Sequence, residues 1–236
     1  MKKYISLSKY PGKQGKYYYS EFFKLLGINA VYEPKGTDNL EESLEEAFKN
    51  HVRGISVSMP YKQEIIKYLN DADDLVYKYN TCNTVVIEND KLIGYNCDYA
   101  GAKHVLSFIE SGWTVSVLGA GSMGSMIANM LPERRVYAIR NSNWAYRHNP
   151  ADVYINCTNQ GTATKKSPLD YIPADTKLVI DLTIGPCELE EQCKAASVKY
   201  ISGQEFYKYQ FLDQFERYFG QRPSEDSYDM IRNNRQ

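Results

Sequence analysis

At 236 residues the chain can bury a real core yet is short for two full domains, so two compact domains that share some elements are expected. Apolar residues make up 43% and charged residues 24%, and no apolar run approaches the roughly 20 residues of a membrane helix, which excludes a spanning segment and predicts a soluble chain. A formal charge of −1, with both signs interspersed, excludes the broad basic field of a nucleic-acid binder and favours a small-molecule partner, with the chain a monomer or homodimer.

The N-terminus, Met1-Lys2-Lys3 before Tyr4-Ile5-Ser6-Leu7-Ser8, is too short in apolar residues for a signal-peptide core, so a cytoplasmic protein is expected. Cys82, Cys97, Cys157, Cys187 and Cys193 are odd in number and dispersed, as reduced thiols would be. His51, His104 and His148 lie far apart, so no metal site is expected.

Strand and helix patterns alternate from the start. Tyr4 to Leu7 reads as a strand, Tyr17 to Leu26 as a helix and Ala30 to Glu33 as a strand. Thr37-Asp38 offers an N-cap for the amphipathic segment Leu40 to Asn50, and Gly54 to Ser58 is a strand stopped by Pro60, after which Lys62 opens another helix. Thr84 to Ile87 and Lys91 to Tyr95 flank Glu88-Asn89-Asp90 as a β-hairpin. Asp98 to Glu110 is helical in pattern and ends at Ser111-Gly112.

Thr114 to Leu118 then reads as a buried parallel strand at the head of a second domain, followed by strands at Val136 to Ile139, Val153 to Asn156 and Lys177 to Asp181. Only about a dozen residues separate Ile139 from Val153, near the minimum for a crossover, so the helix there is abbreviated or missing. Gln204 to Phe219 is a long aromatic helix, and Pro223-Ser224-Glu225-Asp226 starts another.

Gly119-Ala120-Gly121-Ser122-Met123-Gly124 directly follows the Val115 to Leu118 strand and opens an apolar helix, the context that gives G-x-G-x-x-G meaning. The first glycine allows the tight turn, the second lets backbone approach a pyrophosphate, and the third lets the helix pack closely. Helix-start amides and the helix dipole then favour phosphate. The next strand ends in Arg140-Asn141-Ser142 rather than an acid. A cation with amide and hydroxyl groups suits a 2′-phosphate, so NADP is favoured over NAD, against a merely solvated Arg140.

Lys62, just after a proline-stopped strand, reads alone as a surface lysine, and Asp98 has a plain role as a helix N-cap. Their company changes that. Val57-Ser58-Met59-Pro60-Tyr61-Lys62, Asn83-Thr84-Val85-Val86, Gly94-Tyr95-Asn96-Cys97-Asp98, Leu118 to Gly121, Ile155-Asn156-Cys157-Thr158-Asn159-Gln160-Gly161, and Gly203 through Gln210 to Phe215 together resemble the shikimate dehydrogenase family. They do so in order and over nearly the whole chain.

The resemblance implies an α/β chain with an N-terminal substrate-binding domain over residues 1–100. A Rossmann-like doubly wound NADP-binding domain over 101–203 and C-terminal helices over 204–236 returning to the substrate domain would follow. It implies Lys62 and Asp98 as a catalytic pair, with the proton carrier between them left open. Asn83 and Asp98 would bond the substrate's ring hydroxyls, Ser58 would stand where the family has threonine, and Gln210 would reach the substrate. Asn156, Thr158 and Gly203 would line the nicotinamide half of the cofactor site. Oxidation of a secondary alcohol sends a hydride to the nicotinamide and a proton to a base, and a Lys–Asp pair can take that proton.

Two departures stand out. Lys13-Gln14-Gly15-Lys16 occupies the place of the family's carboxylate-binding Ser-x-Ser pair, and Asp181-Leu182-Thr183-Ile184-Gly185-Pro186 lacks its tyrosine. Ser6-Leu7-Ser8, Pro11 and Gly15, with Gln221-Arg222-Pro223-Ser224 near the end, resemble the divergent shikimate dehydrogenase-like subgroup. Lys13, Lys16, Tyr18 or Tyr19 are alternative anion binders, against a solvated loop. Shikimate or quinate oxidation, a catalytically weak NADP-binding paralogue with a sensor or accessory role, and a two-domain enzyme of folate or amino-acid substrates are the functions in competition.

Overall fold

A computed structural model describes residues 1–131, 136–160, 165–185 and 187–235. They form two compact units, the first from residues 1–97 and 211–236 and the second from 98–210.

In the first unit, β1 (Lys2–Ser8), α1 (Gln14–Leu26), β2 (Ala30–Gly36), α2 (Leu40–Lys49) and β3 (Val52–Val57) are followed by a 3₁₀ turn (Glu64–Tyr68). Then come β4 (Asp71–Ala72), α3 (Asp74–Tyr79), β5 (Thr84–Glu88) and β6 (Lys91–Tyr95). The sheet order is β2-β1-β3-β5-β6-β4. β1 runs parallel to β2 and β3, and β5 is antiparallel to both β3 and its hairpin partner β6. The hairpin turn at Asn89 and Asp90 adopts positive φ (49° and 60°), which these residue types tolerate best after glycine.

Period-two alternation splits this sheet into unlike faces. Leu7, Ile55, Val57, Val85 and Ile87 point one way, against Leu40, Leu44 and Ala47 of α2 and Ile65 of the 3₁₀ turn. Tyr4, Ser6, Tyr32, Gly54, Ser56 and Thr84 point the other way, by the register Tyr4↔Tyr32, Tyr4↔Gly54, Ser6↔Ser56 and Ser56↔Thr84. That face carries an aromatic layer from α1 and the chain's last two helices, α7 (Gly203–Phe219) and α8 (Glu225–Asn233). Tyr19 stacks on Tyr32 at 4.2 Å and Tyr18 on Tyr228 at 4.7 Å, while Phe215 and Phe219 sit 4.4 Å apart. Gly54 leaves the room: a Cβ there would lie 2.6 Å from the Tyr218 ring.

The second unit holds α4 (Asp98–Leu106), β7 (Val115–Leu118), α5 (Ser122–Asn129), β8 (Val136–Ile139), β9 (Val153–Asn156), β10 (Leu178–Asp181), α6 (Glu188–Ala195) and β11 (Lys199–Ile201). All five strands are parallel, in the order β11-β10-β9-β7-β8. Every residue of β7, β9 and β10 is buried, as a sheet covered on both faces requires. Thr114 donates its N–H and hydroxyl to Asp152 Oδ2, both at 2.8 Å, tying the entries of β7 and β9 together. These bonds and Lys177 draw the Asp152 carboxyl down to about 2.

The abbreviated crossover is present as expected. Between β8 and β9 stand two 3₁₀ turns over Asn141–His148, broken at Asn143. Arg147 Nη2 (2.5 Å) and His148 Nε2 (3.1 Å) hold them to one carboxylate, Asp170, while Trp144 packs on the core. Among the described residues, no helix is long and apolar enough to cross a membrane.

Three local expectations change. Asn39, not Thr37 or Asp38, caps α2: its backbone is extended and its Oδ1 accepts from Glu42 N at 3.2 Å, whereas the Thr37 hydroxyl accepts from Asn39 N. Lys62 does not open a helix. Tyr61 N donates to Ser58 O at 2.9 Å, so Lys62 sits in the turn that precedes the 3₁₀ segment. The pattern from Asp98 carries a helix only to Leu106, with looser turns as far as Gly112. The C-terminal pattern holds, and Ser224 caps α8 by accepting from Ser227 N at 3.2 Å.

Candidate active site

In the first unit the expected residues gather where the interior strand β3 ends and its antiparallel neighbour β5 begins. Ser58 is exposed just beyond β3, and its N–H bonds Leu7 O at 2.9 Å, which joins the ends of β1 and β3. The half-buried Lys62 accepts at its carbonyl from Cys82 N at 2.8 Å, so its turn is seated beside the start of β5. There Asn83 is buried, with Val57 N donating to its carbonyl at 2.7 Å. Its Oδ1 accepts from Cys97 N (2.9 Å) and from the Thr84 hydroxyl (2.8 Å). Cys97 immediately precedes Asp98, the buried first residue of α4 in the second unit. The Lys62 carbonyl is thus tied to Cys82, the neighbour of Asn83, and the Asn83 side chain to Cys97, the neighbour of Asp98.

The alternative anion binders fare unequally. Tyr18 and Tyr19 are buried in the aromatic layer, and the Tyr19 hydroxyl donates to Gln214. Lys16 pairs with Glu33 at 2.8 Å. Lys13 is exposed at the start of α1. A Cβ on Gly15 would lie 3.1 Å from Tyr32 Cε1, so a serine at that position would press on the Tyr32 ring.

In the second unit the strands run 2-1-3-4-5 in chain order across the sheet, and the direction of winding reverses between β7 and β9. Ligands of such sheets bind beyond the carboxyl ends of the strands at this point. Gly119-Ala120-Gly121 leaves β7 there, and Gly121 N-caps α5. Gly119 has φ +95°, a region other residues enter at a cost, and a Cβ on Gly124 would run into the Gly119 carbonyl oxygen. At Gly121 a Cβ meets nothing within 4 Å. The loop is therefore closed on one side and open on the other, and the amides of Ser122, Met123 and Gly124 start the helix beyond it.

Arg140 is exposed at the end of β8, its N–H capped by Asn143 Oδ1, and Asn141 is exposed next to it. Across the switch point, Asn156 ends β9. Its Oδ1 accepts from Thr158 N (3.0 Å) and the Thr158 hydroxyl (2.7 Å), and its Nδ2 donates to Asp181 Oδ1 (2.9 Å) and Gln160 O (3.2 Å). The four sites of this carboxamide shape the turn itself. Gly203 begins α7 against the loop after β10, where a Cβ would overlap the Thr183 carbonyl oxygen. Gln210 lies half-buried on α7, one turn before Gln214. Gly161 and Pro186 fall outside the described residues.

Sequence patterns pass over Asp181. Fully buried, it accepts from Asn156 Nδ2, Thr183 N (2.9 Å) and the Thr183 hydroxyl (2.8 Å) at Oδ1, and from Cys187 Sγ and Tyr200 OH (3.0 Å each) at Oδ2. Asp181→Ala strands those donors, and a urea melt should show a loss of about 3 kcal/mol or more. A loss under ~1 kcal/mol would mean that water or rearrangement satisfies the donors.

Comparison with known proteins places these features in context. Residues 14–85 match the family described as the shikimate dehydrogenase substrate binding domain. The protein named shikimate dehydrogenase (NADP(+)) from Streptococcus gordonii is 29% identical over 86% of this chain and 86% of its own length. A shikimate dehydrogenase-like protein from Haemophilus influenzae is 25% identical over 94% of this chain and 92% of its own. Shikimate 5-dehydrogenase of Thermus thermophilus, solved with NADP(H) and shikimate, shares the fold with a TM-score of 0.81 at 20% identity, over 99% of each chain.

Proposed function

From the premise that this chain belongs to the shikimate dehydrogenase family, close to its shikimate dehydrogenase-like subgroup, we propose that it is an NADP-dependent oxidoreductase. Its reaction is the reversible oxidation of shikimate, or a related cyclic polyol carboxylate such as quinate, to the 3-dehydro ketone. The observation that carries this reading is the loop from Gly119 to Gly124, closed upon itself at the switch point of a parallel sheet. It stands in a chain matched along most of its length by proteins named for NADP-dependent shikimate oxidation.

NADP, when bound, would supply the hydride acceptor for the carbon bearing the alcohol. Gly119 to Gly124 receive the pyrophosphate, the second glycine giving the open approach, and Arg140 with Asn141 takes the 2′-phosphate. Asn156, Thr158 and Gly203 line the nicotinamide half, Asn156 by holding the turn rather than by its own amide. On the substrate side, Asn83 and Asp98 hold ring hydroxyls, and Ser58 and Gln210 contact the ring. The Lys62 and Asp98 pair takes the hydroxyl proton, so that alcohol and NADP⁺ would give ketone, NADPH and one proton.

The decisive experiment follows NADPH formation with shikimate and with quinate, in wild type and in Asp98→Asn. Turnover that is lost in the variant supports the reading. Intact NADP binding with no turnover in wild type would instead establish the weak paralogue, for which the replacement of a serine site by Lys13 and Gly15 is the motivating observation. Cofactor choice is tested separately. Arg140→Ala should raise the KM for NADP about tenfold or more and leave that for NAD unchanged, since one charge-assisted contact to the 2′-phosphate is lost. Equal effects on both cofactors would exclude Arg140 from that role.

A further inference from the structure

Ser56, Thr84, Asn83 and Gln214, with Tyr19, Tyr32 and Tyr218, form one connected hydrogen-bond network in the first unit, and two backbone groups fix its direction. Cys97 N–H can only donate, so the atom of Asn83 that receives it is the oxygen. The Asn83 backbone carbonyl can only accept, so the atom of Gln214 that reaches it, at 3.4 Å, is the nitrogen.

The same Gln214 nitrogen donates to the Thr84 hydroxyl at 2.7 Å, and that hydroxyl must then send its own proton on to Asn83 Oδ1 at 2.8 Å. At the other end, Gln214 Oε1 accepts from Tyr19 OH and from Ser56 Oγ, each at 2.9 Å. Having given its proton to Gln214, Ser56 receives from Tyr32 OH (2.7 Å) and Tyr218 OH (3.1 Å). Each donor direction follows from the last, and the network terminates at Asn83.

We infer that Gln214 and Thr84 are positioning residues, a relay that holds the Asn83 carboxamide with its oxygen turned inward and its NH₂ turned to the substrate. This rests on the proposed reading of Asn83 as a group that holds a ring hydroxyl. A donor at Asn83 requires that hydroxyl to accept, which frees its own proton for a carboxylate such as Asp98. A flipped amide would reverse the polarity and oppose the same bond. The sheet register supplies the geometry, since Ser56 faces Thr84 directly across β3 and β5. Thr84 is fully buried and Gln214 nearly so, and neither needs to touch the substrate to act.

Thr84→Val keeps the shape and the strand propensity while removing the hydroxyl, and Thr84→Ser restores it. With asparagine side chains labelled with ¹⁵N, and the Asn83 NH₂ signal identified by its absence in Asn83→Ala, Thr84→Val should shift that signal and Thr84→Ser should return it. The KM for shikimate should rise about tenfold in Thr84→Val, recover in Thr84→Ser, and the KM for NADP should not move. Gln214→Met, which removes both ends of the relay at similar volume, should reproduce the Thr84→Val shift. An Asn83 signal unchanged in both Thr84→Val and Gln214→Met overturns the relay. A signal that moves, in a protein whose Asn83→Ala variant keeps wild-type kinetics, leaves the relay standing and removes Asn83 from the substrate site.

Discussion

Lys62→Ala should lower kcat for shikimate oxidation by about 10²–10⁴-fold, the range for losing a positioned proton-transfer group, while the Kd for NADP stays within twofold. The separation is expected because Lys62 belongs to the first unit and the glycine loop to the second. Lys62 is held by its backbone, Cys82 N bonding its carbonyl, so truncating the side chain leaves the turn intact. Lys62→Arg sharpens the test. Arginine keeps the charge but does not release its proton, so it should remain slow if proton transfer is the role and recover if a positive charge alone suffices. Single-turnover NADPH formation measures both variants. A kcat within threefold of wild type in Lys62→Ala would remove Lys62 from the chemistry.

Gly124→Ala should weaken NADP binding about 10–100-fold and lower stability by about 1–3 kcal/mol, because the new methyl collides with the Gly119 carbonyl. That oxygen is backbone, and Gly119 is itself committed to φ +95°, so relief requires α5 to move off β7. Gly121→Ala is the informative partner. Open space surrounds its Cβ, so the fold should melt unchanged while NADP binding falls, the methyl standing where the pyrophosphate approaches. Calorimetric titration together with thermal melts gives both numbers. Equal stabilities for the two variants would refute the packing role of Gly124, and undiminished binding in Gly121→Ala would place the phosphates elsewhere.

Four of the five parallel strands of the second unit were readable from apolar runs such as Leu178 to Ile180, whereas the short β11 (Lys199–Ile201) was not. The hairpin was readable because Asn89 and Asp90 are turn residues. Caps were less legible. Thr37, Asp38 and Asn39 all qualify by type, and only the extended backbone at Asn39 chooses among them. Of the site, Lys62, Asn83 and Asp98 stand in recognisable motifs, whereas Gln214, Ser56 and Asp181 carry no local signature.

Ser56 and Thr84 are single polar residues on strands, which periodicity reads as surface. Thr84 is buried and Ser56 half-buried, which follows only from the register that sets them face to face under the aromatic layer. Asn156 shows the opposite error of detail. Its place at the end of β9 was legible, yet its carboxamide is occupied by Thr158, Gln160 and Asp181.

The aromatic layer of the first unit has an optical consequence. It is built from tyrosine and phenylalanine alone, and the only tryptophans of the chain, Trp113 and Trp144, both belong to the second unit. Indole emission excited at the red edge of absorption is therefore a private reporter of the second unit, while far-ultraviolet dichroism reports both. A denaturation followed by the two signals together reveals directly whether the units unfold in one cooperative step or in two.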